Sequence, residues 1–313
     1  MSIDRRRFIG GTIASGITLG AAGCVPPDQS PSGRLVAEMR IIEASADGMM
    51  GVSLLDTGTG RSIGLNSDRR FGHCSSFKMS LAAKVLVEDA RGLIDADRKV
   101  TWTQDELLSY APYTRERLAE GATLRELAEF TQKLSDNTAA NVLLRELGGP
   151  AGLTGFWRSI GDNVSRLDRF EPALNNVPVP DVRDTTTPAA MAQTVATLLY
   201  GDAMPSAQKE TLREWMTDTQ TGMRRVRAGL PEKWVAGDKT GTAFAPGMGS
   251  LYVDIGFVEP PANGDETRAP ITFATYFRSR EVHSRVDPAS EAVLAKVGKL
   301  IPSFAEVKDW FPF

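Results

Sequence analysis

The sequence predicts an α+β protein, in which the two ends of the chain form an antiparallel sheet and the middle forms a helical lobe. Strand-like apolar stretches occur near both ends, and turn sequences such as Thr57-Gly58-Thr59-Gly60 and the Pro/Gly-rich segment 260–264 separate them. Apolar residues at helical spacing occupy the middle third. The predicted strands are 50–56, 61–65, 234–239, 251–258 and 271–277.

Helices are predicted from apolar spacing and from capping residues. At the start of the mature chain, Ser32 is a possible cap for a helix. Thr123 and Glu126 form a capping box at the start of another helix. The apolar residues that follow Ser32 at intervals of four and three are Leu35, Met39 and Ile42. The other predicted helices are 78–89, 137–147, a segment that opens at Thr187-Pro188, and a last one from Asp287-Pro288 to about residue 300.

Composition excludes several classes of protein. The 313 residues include 42% apolar and 24% charged residues, which is ordinary for a soluble globular chain. The 36 Lys and Arg against 39 Asp and Glu give a net charge of −3, whereas nucleic-acid binders carry a strong basic excess. Two His and two Cys are too few for a typical zinc site. We therefore expect no nucleic-acid partner, no metal and no cofactor.

Residues 1–23 are predicted to be an export signal. A basic start, Arg5-Arg6-Arg7, precedes an apolar stretch at 8–22 that is too short for a membrane span. The arginines followed by Phe8 and Ile9 resemble a twin-arginine signal, and a general secretory signal is the alternative. Both interpretations predict an exported, periplasmic protein.

The cleavage site also has two interpretations. Ala21-Ala22-Gly23-Cys24 resembles a lipoprotein box, in which Cys24 becomes lipidated and anchors the protein to a membrane. The small residues before Cys24 would equally suit ordinary signal peptidase. Residues 24–33 would then form a tether. In either case Cys74 is left without a partner for a disulfide.

A serine and a lysine are spaced for nucleophilic chemistry. Ser75 and Lys78 stand three residues apart at the start of a predicted helix, so they share one helix face. The helix N-terminus favours negative charge that develops at Ser75, and a serine hydroxyl needs a neighbouring base to act as a nucleophile. Alone the pattern carries little weight, because average usage predicts roughly one chance match in such a chain.

Two further motifs make coincidence remote. Ser-Asp-Asn at 135–137 lies at a predicted junction between helices, and Lys-Thr-Gly at 239–241 ends a predicted strand. The three motifs in this order are characteristic of class A β-lactamases and penicillin-binding proteins. The chain resembles a class A serine β-lactamase over essentially its whole mature length.

Other segments extend the resemblance. Tyr-Ala-Pro at 110–112 is similar to the family's aromatic site wall, and 169–175 is similar to the start of its omega loop. The resemblance implies a five-stranded antiparallel sheet with flanking helices, plus an all-helical lobe, with the site between them. The implied divisions are an α/β lobe at 34–70 and 217–313 and a helical lobe at 71–216, with the omega loop at 169–184.

The resemblance also implies the catalytic roles. Ser75 would attack the amide carbonyl of a β-lactam and become acylated, with the backbone N–H groups of Ser75 and Thr242 as the oxyanion hole. The acylation base is either Lys78 directly or Glu171 through a water, and this choice stays open. Glu171 would activate the deacylating water, which Asn175 would help to hold.

Further residues are implied in substrate binding and proton transfer. Ser135 would pass a proton to the leaving nitrogen, and Lys239 would place positive charge near Ser135 and the substrate carboxylate. Asn137 would bind the acylamino side chain of the substrate and Lys78. The other implied substrate-binding residues are Tyr110, Asn175, Thr240, Gly241 and Thr242, of which Thr240 and Thr242 would hydrogen-bond the carboxylate.

Three further features of the predicted site are a clasp of the omega loop, an arginine for the substrate carboxylate, and the residue at position 243. Arg169 and Asp184 are expected to clasp the ends of the omega loop, since long functional loops are usually pinned. Many family members carry an arginine after the Lys-Thr-Gly motif, but 248–251 contains none. We therefore expect Arg225 to bind the substrate carboxylate instead. Ala243 replaces the cysteine that pairs with the equivalent of Cys74 in carbapenem-hydrolysing relatives, so carbapenemase activity is not supported.

The function that the resemblance implies is hydrolysis of penicillins and cephalosporins, and hence antibiotic resistance, by a monomer. A penicillin-binding D,D-peptidase-like protein is the alternative, because it shares the motif chemistry but lacks the omega-loop glutamate. A non-catalytic lipoprotein on the same scaffold is a third interpretation. Glu171 and Asn175 favour the first of these.

Overall fold

The computed structural model describes residues 30–262 and 268–307. The predicted signal segment 1–23 and Cys24 lie outside these residues. Within the two described ranges, none of the helices combines the length and apolar character that crossing a membrane requires.

Ten helices and nine strands are described in these ranges. The helices are α1 (Pro31–Ala44), α2 (Phe77–Ala90), α3 (Pro112–Glu116), α4 (Leu124–Lys133), α5 (Asn137–Glu146), α6 (Gly149–Ser159), α7 (Pro188–Leu199), α8 (Ser206–Thr217), α9 (Pro288–Gly298) and α10 (Ile301–Ala305). The strands are β1 (Gly48–Asp56), β2 (Ser62–Leu65), β3 (Phe71–Gly72), β4 (Lys99–Val100), β5 (Ala122–Thr123), β6 (Thr185–Thr186), β7 (Val235–Ala245), β8 (Gly249–Glu259) and β9 (Ile271–Ser279). Short 3₁₀ turns cover Cys74–Ser76, Gln104–Glu106, Ala173–Asn175 and Val226–Gly229.

One sheet joins the two ends of the chain. Its strands lie in the order β2, β1, β9, β8, β7, and every neighbouring pair is antiparallel. β1 pairs with β9 along its whole length, from Gly48 opposite Ser279 to Asp56 opposite Ile271. The predicted α+β class with a five-stranded antiparallel sheet is therefore confirmed. β7 forms one edge of this sheet.

Apolar side chains cover both faces of the sheet. Because side chains alternate along a strand, Leu251 and Val253 of β8 face the core of the helical lobe, while Tyr252 faces a second core. Residues of α1, α9 and α10 form the other wall of that second core, with Leu35 and Val293 among them. On the helical side, α2 is buried from Phe77 to Val87, and the lysines Lys78 and Lys84 are buried together with its apolar residues.

The first helix begins earlier than predicted. Ser30, not Ser32, is its cap: the Ser30 side chain accepts a hydrogen bond from the Gly33 backbone N–H at 3.0 Å. Pro31 then occupies the first helical position, where its fixed φ suits a helix and its missing N–H is not needed. Residues 31–33, which we expected in the tether, are therefore helical.

The strand that carries the Lys-Thr-Gly motif is longer than predicted. β7 continues to Ala245, so the motif at 239–241 lies in its middle and not at its end. Every residue of β7 has a partner on β8, up to Ala245 opposite Gly249. The strand extends through this polar sequence because a neighbouring strand satisfies its backbone hydrogen bonds.

A buried aspartate joins three segments of the helical lobe. Asp136 is fully buried and caps α5, with its Oδ1 accepting from the Ala139 backbone N–H at 2.8 Å. Its Oδ2 accepts from the backbone N–H groups of Tyr113 and Thr114 at 3.0 and 2.9 Å. The Thr114 hydroxyl donates to the same carboxylate at 3.0 Å. Asp136 therefore fixes the junction between Ser135 and Asn137 against α3.

We predict that Asp136→Ala lowers the free energy of unfolding by about 3–5 kcal/mol, because it removes a helix cap and leaves several buried donors without an acceptor. Urea denaturation measures the change. The matched control is Asp97→Ala, because Asp97 is an exposed carboxylate paired with Arg125, and it should leave stability unchanged within error. Equal effects of the two substitutions would contradict the assigned role of Asp136.

Candidate active site

A cleft of about 650 Å³ lies between the β7 edge of the sheet and the helical lobe. It brings together residues that are far apart in the sequence. The predicted site residues that line it are Ser75, Tyr110, Ser135, Asn137, Asn175, Arg225, Thr240, Gly241 and Thr242. The other predicted members, Lys78, Glu171 and Lys239, are buried in contact with these residues.

Ser75 lies in the 3₁₀ turn that leads into α2. β7 approaches this turn so closely that only glycine fits at position 241. A Cβ atom there would lie 2.8 Å from the Cys74 Cβ and 3.0 Å from the Ser75 backbone nitrogen. The absence of a side chain at Gly241 thus allows the backbone of β7 to pass directly beside the Ser75 amide.

The Lys78 ammonium is surrounded by acceptors. Its Nζ donates to Ser75 Oγ at 3.0 Å, to the Ser135 carbonyl at 2.9 Å, and to Asn137 Oδ1. These three acceptors match the three N–H bonds of an ammonium group. Glu171 Oε1 lies 3.2 Å from the same nitrogen as an ion-pair partner. Burial lowers the pKa of Lys78, and the charge of Glu171 opposes that effect.

Glu171 is aimed at the nucleophile. Its Oε1 is 3.5 Å from Ser75 Oγ, and its Oε2 accepts from Asn175 Nδ2 at 2.6 Å. Asn141 of α5 holds the Glu171 backbone on both sides: its Oδ1 accepts from the Glu171 N–H and its Nδ2 donates to the Glu171 carbonyl, both at 2.9 Å. Asn141 was not predicted from the sequence, although its position four residues after Asn137 places both on one helix face.

The loop at 169–184 is pinned at its ends. Arg169 Nε donates to Asp184 Oδ2 at 2.5 Å, and the Asp184 side chain is fully buried. Asp184 Oδ1 also accepts from the backbone N–H groups of Asp168 and Arg169 at 2.7 and 2.9 Å. Because the carboxylate binds backbone as well as guanidinium, this contact orders the loop more firmly than a surface ion pair does.

Lys239 and Ser135 form a second donor pair across the cleft. Lys239 Nζ donates to Ser135 Oγ at 3.0 Å and to the Thr240 carbonyl at 2.7 Å. The lysine is fully buried. Burial, together with the nearby positive charge of Lys78, lowers the pKa of Lys239 well below its ordinary value. A ligand anion beside this lysine would favour its charged form.

Arg225 reaches the cleft from the turn before β7, and it is almost fully buried. Its Nε donates to Glu291 Oε1 of α9 at 3.2 Å. Its Nη1 donates to the carbonyls of Gly241 and Val253 at 2.8 and 2.6 Å, and its Nη2 donates to Thr242 Oγ1 at 2.6 Å. A guanidinium has five N–H bonds. Among the described residues, the fifth, on Nη2, has no acceptor.

The remaining walls of the cleft are aromatic and polar. Tyr110 is half exposed at the rim, and its carbonyl accepts from the Asn137 backbone N–H at 3.0 Å. The hydroxyl groups of Thr240 and Thr221 are 2.6 Å apart. Thr221 and Glu291 were not predicted from the sequence, because neither belongs to a motif and each reaches the site only through the fold.

The histidines and the cysteine lie outside this arrangement. His73 is fully buried and stacked on Trp157 with 4.9 Å between ring centroids, and burial lowers its pKa to about 4. Burial likewise raises the pKa of the free Cys74 thiol to about 12, so this thiol is not a nucleophile. His283 Nδ1 lies 2.7 Å from the Tyr252 hydroxyl. Within residues 30–262 and 268–307, no cluster of His, Cys, Asp or Glu is arranged to hold a metal.

Comparison with known proteins gives one family. A model described as the beta-lactamase enzyme family matches residues 34–304. Beta-lactamase L2 of Stenotrophomonas maltophilia is 39% identical over 307 residues, covering 95% of this chain and 98% of the relative. The carbapenem-hydrolyzing beta-lactamase KPC of Klebsiella oxytoca is also 39% identical, over 85% of this chain and 87% of its own length.

Solved structures agree with these relatives. An ancestral class A β-lactamase matches with a TM-score of 0.80 and 46% identity, over 86% of this chain and 99% of that one. A β-lactamase from Desulfarculus baarsii matches with a TM-score of 0.81 and 37% identity, over 88% of this chain and 98% of its own. The sequence motifs, the sheet topology and these matches agree, and the chain belongs to the class A serine β-lactamase family.

Proposed function

We propose that this protein hydrolyses the β-lactam amide of penicillins and cephalosporins through an acyl-enzyme on Ser75, and so confers antibiotic resistance. The observation that carries the proposal is the buried carboxylate of Glu171, whose Oε1 lies 3.5 Å from Ser75 Oγ. A glutamate in this position can activate the water that releases the acyl group. Family membership and the three motifs support the same reaction.

In the acylation step, Ser75 Oγ attacks the lactam carbonyl carbon and gives up its proton to a base. Lys78, at 3.0 Å, and Glu171, through a water, are both candidates for this base. The tetrahedral oxyanion would be stabilised by the backbone N–H groups of Ser75 and Thr242. Support for this oxyanion hole comes from the close approach of β7 to Ser75 at Gly241.

Collapse of the intermediate breaks the C–N bond, and the leaving nitrogen takes a proton. Ser135 is the proposed donor, because its hydroxyl lies in the cleft and accepts a hydrogen bond from Lys239. The proton that the base took from Ser75 then passes to Ser135, so that both the base and Ser135 are restored. In deacylation, Glu171 takes a proton from a water whose oxygen attacks the ester carbonyl. Asn175, which donates to Glu171 Oε2, would hold this water from the other side. Collapse of this second tetrahedral intermediate breaks the ester bond, the Ser75 oxygen recovers from Glu171 the proton that came from the water, and the opened acid leaves.

Substrate recognition is proposed to depend on a carboxylate site along β7. Lys239 supplies buried charge, and the hydroxyl groups of Thr240 and Thr242 lie in the cleft. Thr242 Oγ1 accepts from Arg225, which leaves the threonine proton free to be donated to a ligand. The fifth N–H of Arg225 is available to the same carboxylate. Tyr110 would form a wall of the site, and Asn137 would bind the acylamino side chain.

We propose also that the protein is exported to the periplasm, acts as a monomer, and is lipidated at Cys24 if the lipoprotein box is used. The sequence of residues 1–24 supports export. Mass spectrometry of the N-terminal peptide from isolated membranes tests the anchor. An acylated cysteine at the N-terminus would support it, and a peptide that begins elsewhere would exclude it.

Glu171→Ala is predicted to trap an acyl-enzyme and to lower kcat about 10²- to 10⁴-fold, the usual contribution of a general base. Intact-protein mass spectrometry after addition of benzylpenicillin should show the mass of one added penicillin. The control is Glu129→Ala in α4, a partly exposed glutamate outside the site, which should turn over normally. Rapid turnover by Glu171→Ala would refute the deacylation role. Stoichiometric acylation without turnover by the wild-type protein would favour the D,D-peptidase-like alternative.

Arg225→Ala is predicted to raise KM for benzylpenicillin about 10- to 100-fold, since a hydrogen bond to a charged group contributes about 1.5–3 kcal/mol. Steady-state kinetics measure the change. Benzylpenicillin methyl ester lacks the carboxylate charge, so its kinetics should change little. Arg224→Ala, at an exposed neighbouring arginine, is the matched control. If Arg225→Ala left KM for the acid unchanged, Arg225 would have no part in the site.

Acylation of Glu171→Gln is predicted to become faster as pH rises, with a midpoint below 10.5, the ordinary pKa of lysine. Lys78 is then the remaining candidate base and must lose its proton to act. Burial lowers its pKa, and the lost Glu171 charge no longer raises it. Stopped-flow acylation rates from about pH 5 to pH 10 measure the profile. A flat profile would argue against Lys78 as a base.

A further inference from the structure

We propose that Tyr252 is a positioning residue for Arg225, so that its ring holds the guanidinium where the substrate carboxylate binds. The proposal rests on the proposed function, because it concerns how the carboxylate is recognised. Tyr252 lies on β8 directly opposite Thr242 of β7, and residues opposite each other in antiparallel strands point to the same face. Its side chain is fully buried.

The Arg225 guanidinium lies over the ring of Tyr252, with 5.7 Å between Cζ and the ring centroid. This is within the range in which the ring quadrupole attracts a cation. An attraction of this kind is useful because Arg225 has a basic neighbour. Lys239 lies close enough that the charge of Arg225 lowers the pKa of that lysine, so the two groups repel each other when both are charged. A second carboxylate in place of the ring would compete with the substrate for the free N–H of Arg225, whereas an aromatic face attracts the cation without using an N–H bond.

The ring itself is held at both ends. Its hydroxyl oxygen accepts from the Asp287 backbone N–H at 3.0 Å and lies 2.7 Å from His283 Nδ1. Phe244 packs against the ring with 6.2 Å between centroids, in an edge-to-face arrangement. Since these contacts come from β7 and from the segment between β9 and α9, the orientation of the ring is set independently of Arg225.

The orientation of Arg225 therefore has two sources. Glu291 and the carbonyls of Gly241 and Val253 bind the edge of the guanidinium, and Tyr252 supports its face. The edge contacts hold the guanidinium in its plane, and the ring adds resistance to tilting of that plane. With the face supported as well, the fifth N–H is directed toward the cleft. Loss of the ring should weaken substrate binding while the chemistry at Ser75 continues.

The test is a double-mutant cycle with benzylpenicillin as substrate. Tyr252→Leu should raise KM about 3- to 10-fold with kcat within about twofold, the size expected when a cation–π contact is lost. In the Arg225→Ala background, the same substitution should leave KM unchanged. Tyr252→Phe, which keeps the ring, should stay within about twofold of wild type in both backgrounds.

Tyr200→Leu is the matched control. Tyr200 also makes an edge-on ring contact, with Phe257 at 6.3 Å, and donates through its hydroxyl to Glu259 Oε1 at 3.2 Å, away from the cleft. Its loss should leave KM unchanged.

Three results would overturn the proposal. These are an equal rise in KM in both Arg225 backgrounds, a fall in kcat with unchanged KM, or a Tyr252→Phe variant whose KM rises more than threefold. The last result decides the matter if Tyr252→Leu fails to fold. Turnover of benzylpenicillin by the wild-type protein is measured first. Its absence would overturn the proposed function and this inference together. If the wild-type protein turns over but the double-mutant cycle gives one of the three results above, only the inference is overturned.

Discussion

The buried ion pair of Lys78 and Glu171 is the interaction on which the site depends. Both side chains are excluded from solvent, and the ammonium nitrogen is 3.2 Å from the carboxylate. Burying two charges costs more free energy than their attraction alone recovers, so a pair of this kind persists only when hydrogen bonds satisfy both partners. Here Ser75, the Ser135 carbonyl and Asn137 satisfy the lysine, while Asn175 satisfies the glutamate. The polar residues of the cleft therefore provide this pair with the hydrogen bonds that water would give it in solution.

That requirement explains how three separate parts of the helical lobe are held together. Lys78 belongs to α2, and the Ser135 carbonyl, to which it donates, lies in the junction before α5. Glu171 belongs to the loop at 169–184, whose regular structure is one 3₁₀ turn. A loop cannot hold a buried carboxylate by its own backbone preferences. Asn141 fixes it from α5 and Asp184 fixes it at its end. The rigid helices thus provide the precision that the loop lacks.

On the β7 side of the cleft, the two buried titratable groups of the proposed carboxylate site are basic. Lys239 and Arg225 are both buried there, and Glu291 is bound to the outer edge of the arginine. The lowered pKa of Lys239 reflects burial and the charge of Lys78. An anionic substrate group would favour the charged form of Lys239, whereas a neutral ligand would not. This arrangement therefore favours ligands that carry a carboxylate.

Local signals were sufficient to predict several helix starts and the residues within motifs. The capping box of Thr123 and Glu126, the cap at Thr187 and the cap at Asp287 all appear as predicted, because each depends on contacts within one helical turn. Ser75 and Lys78 meet for the same reason. Glu291 and Tyr252 gave no such signal, and the spacing of Asn141 from Asn137 shows only that the two share a helix face. Their roles come from contacts between elements that are distant along the chain, and the register of β7 against β8 and the packing of α9 on the sheet bring those elements together. The extent of β7 was also underestimated, because hydrogen bonding to a neighbouring strand, which is a long-range property, outweighs the local preference of a polar sequence.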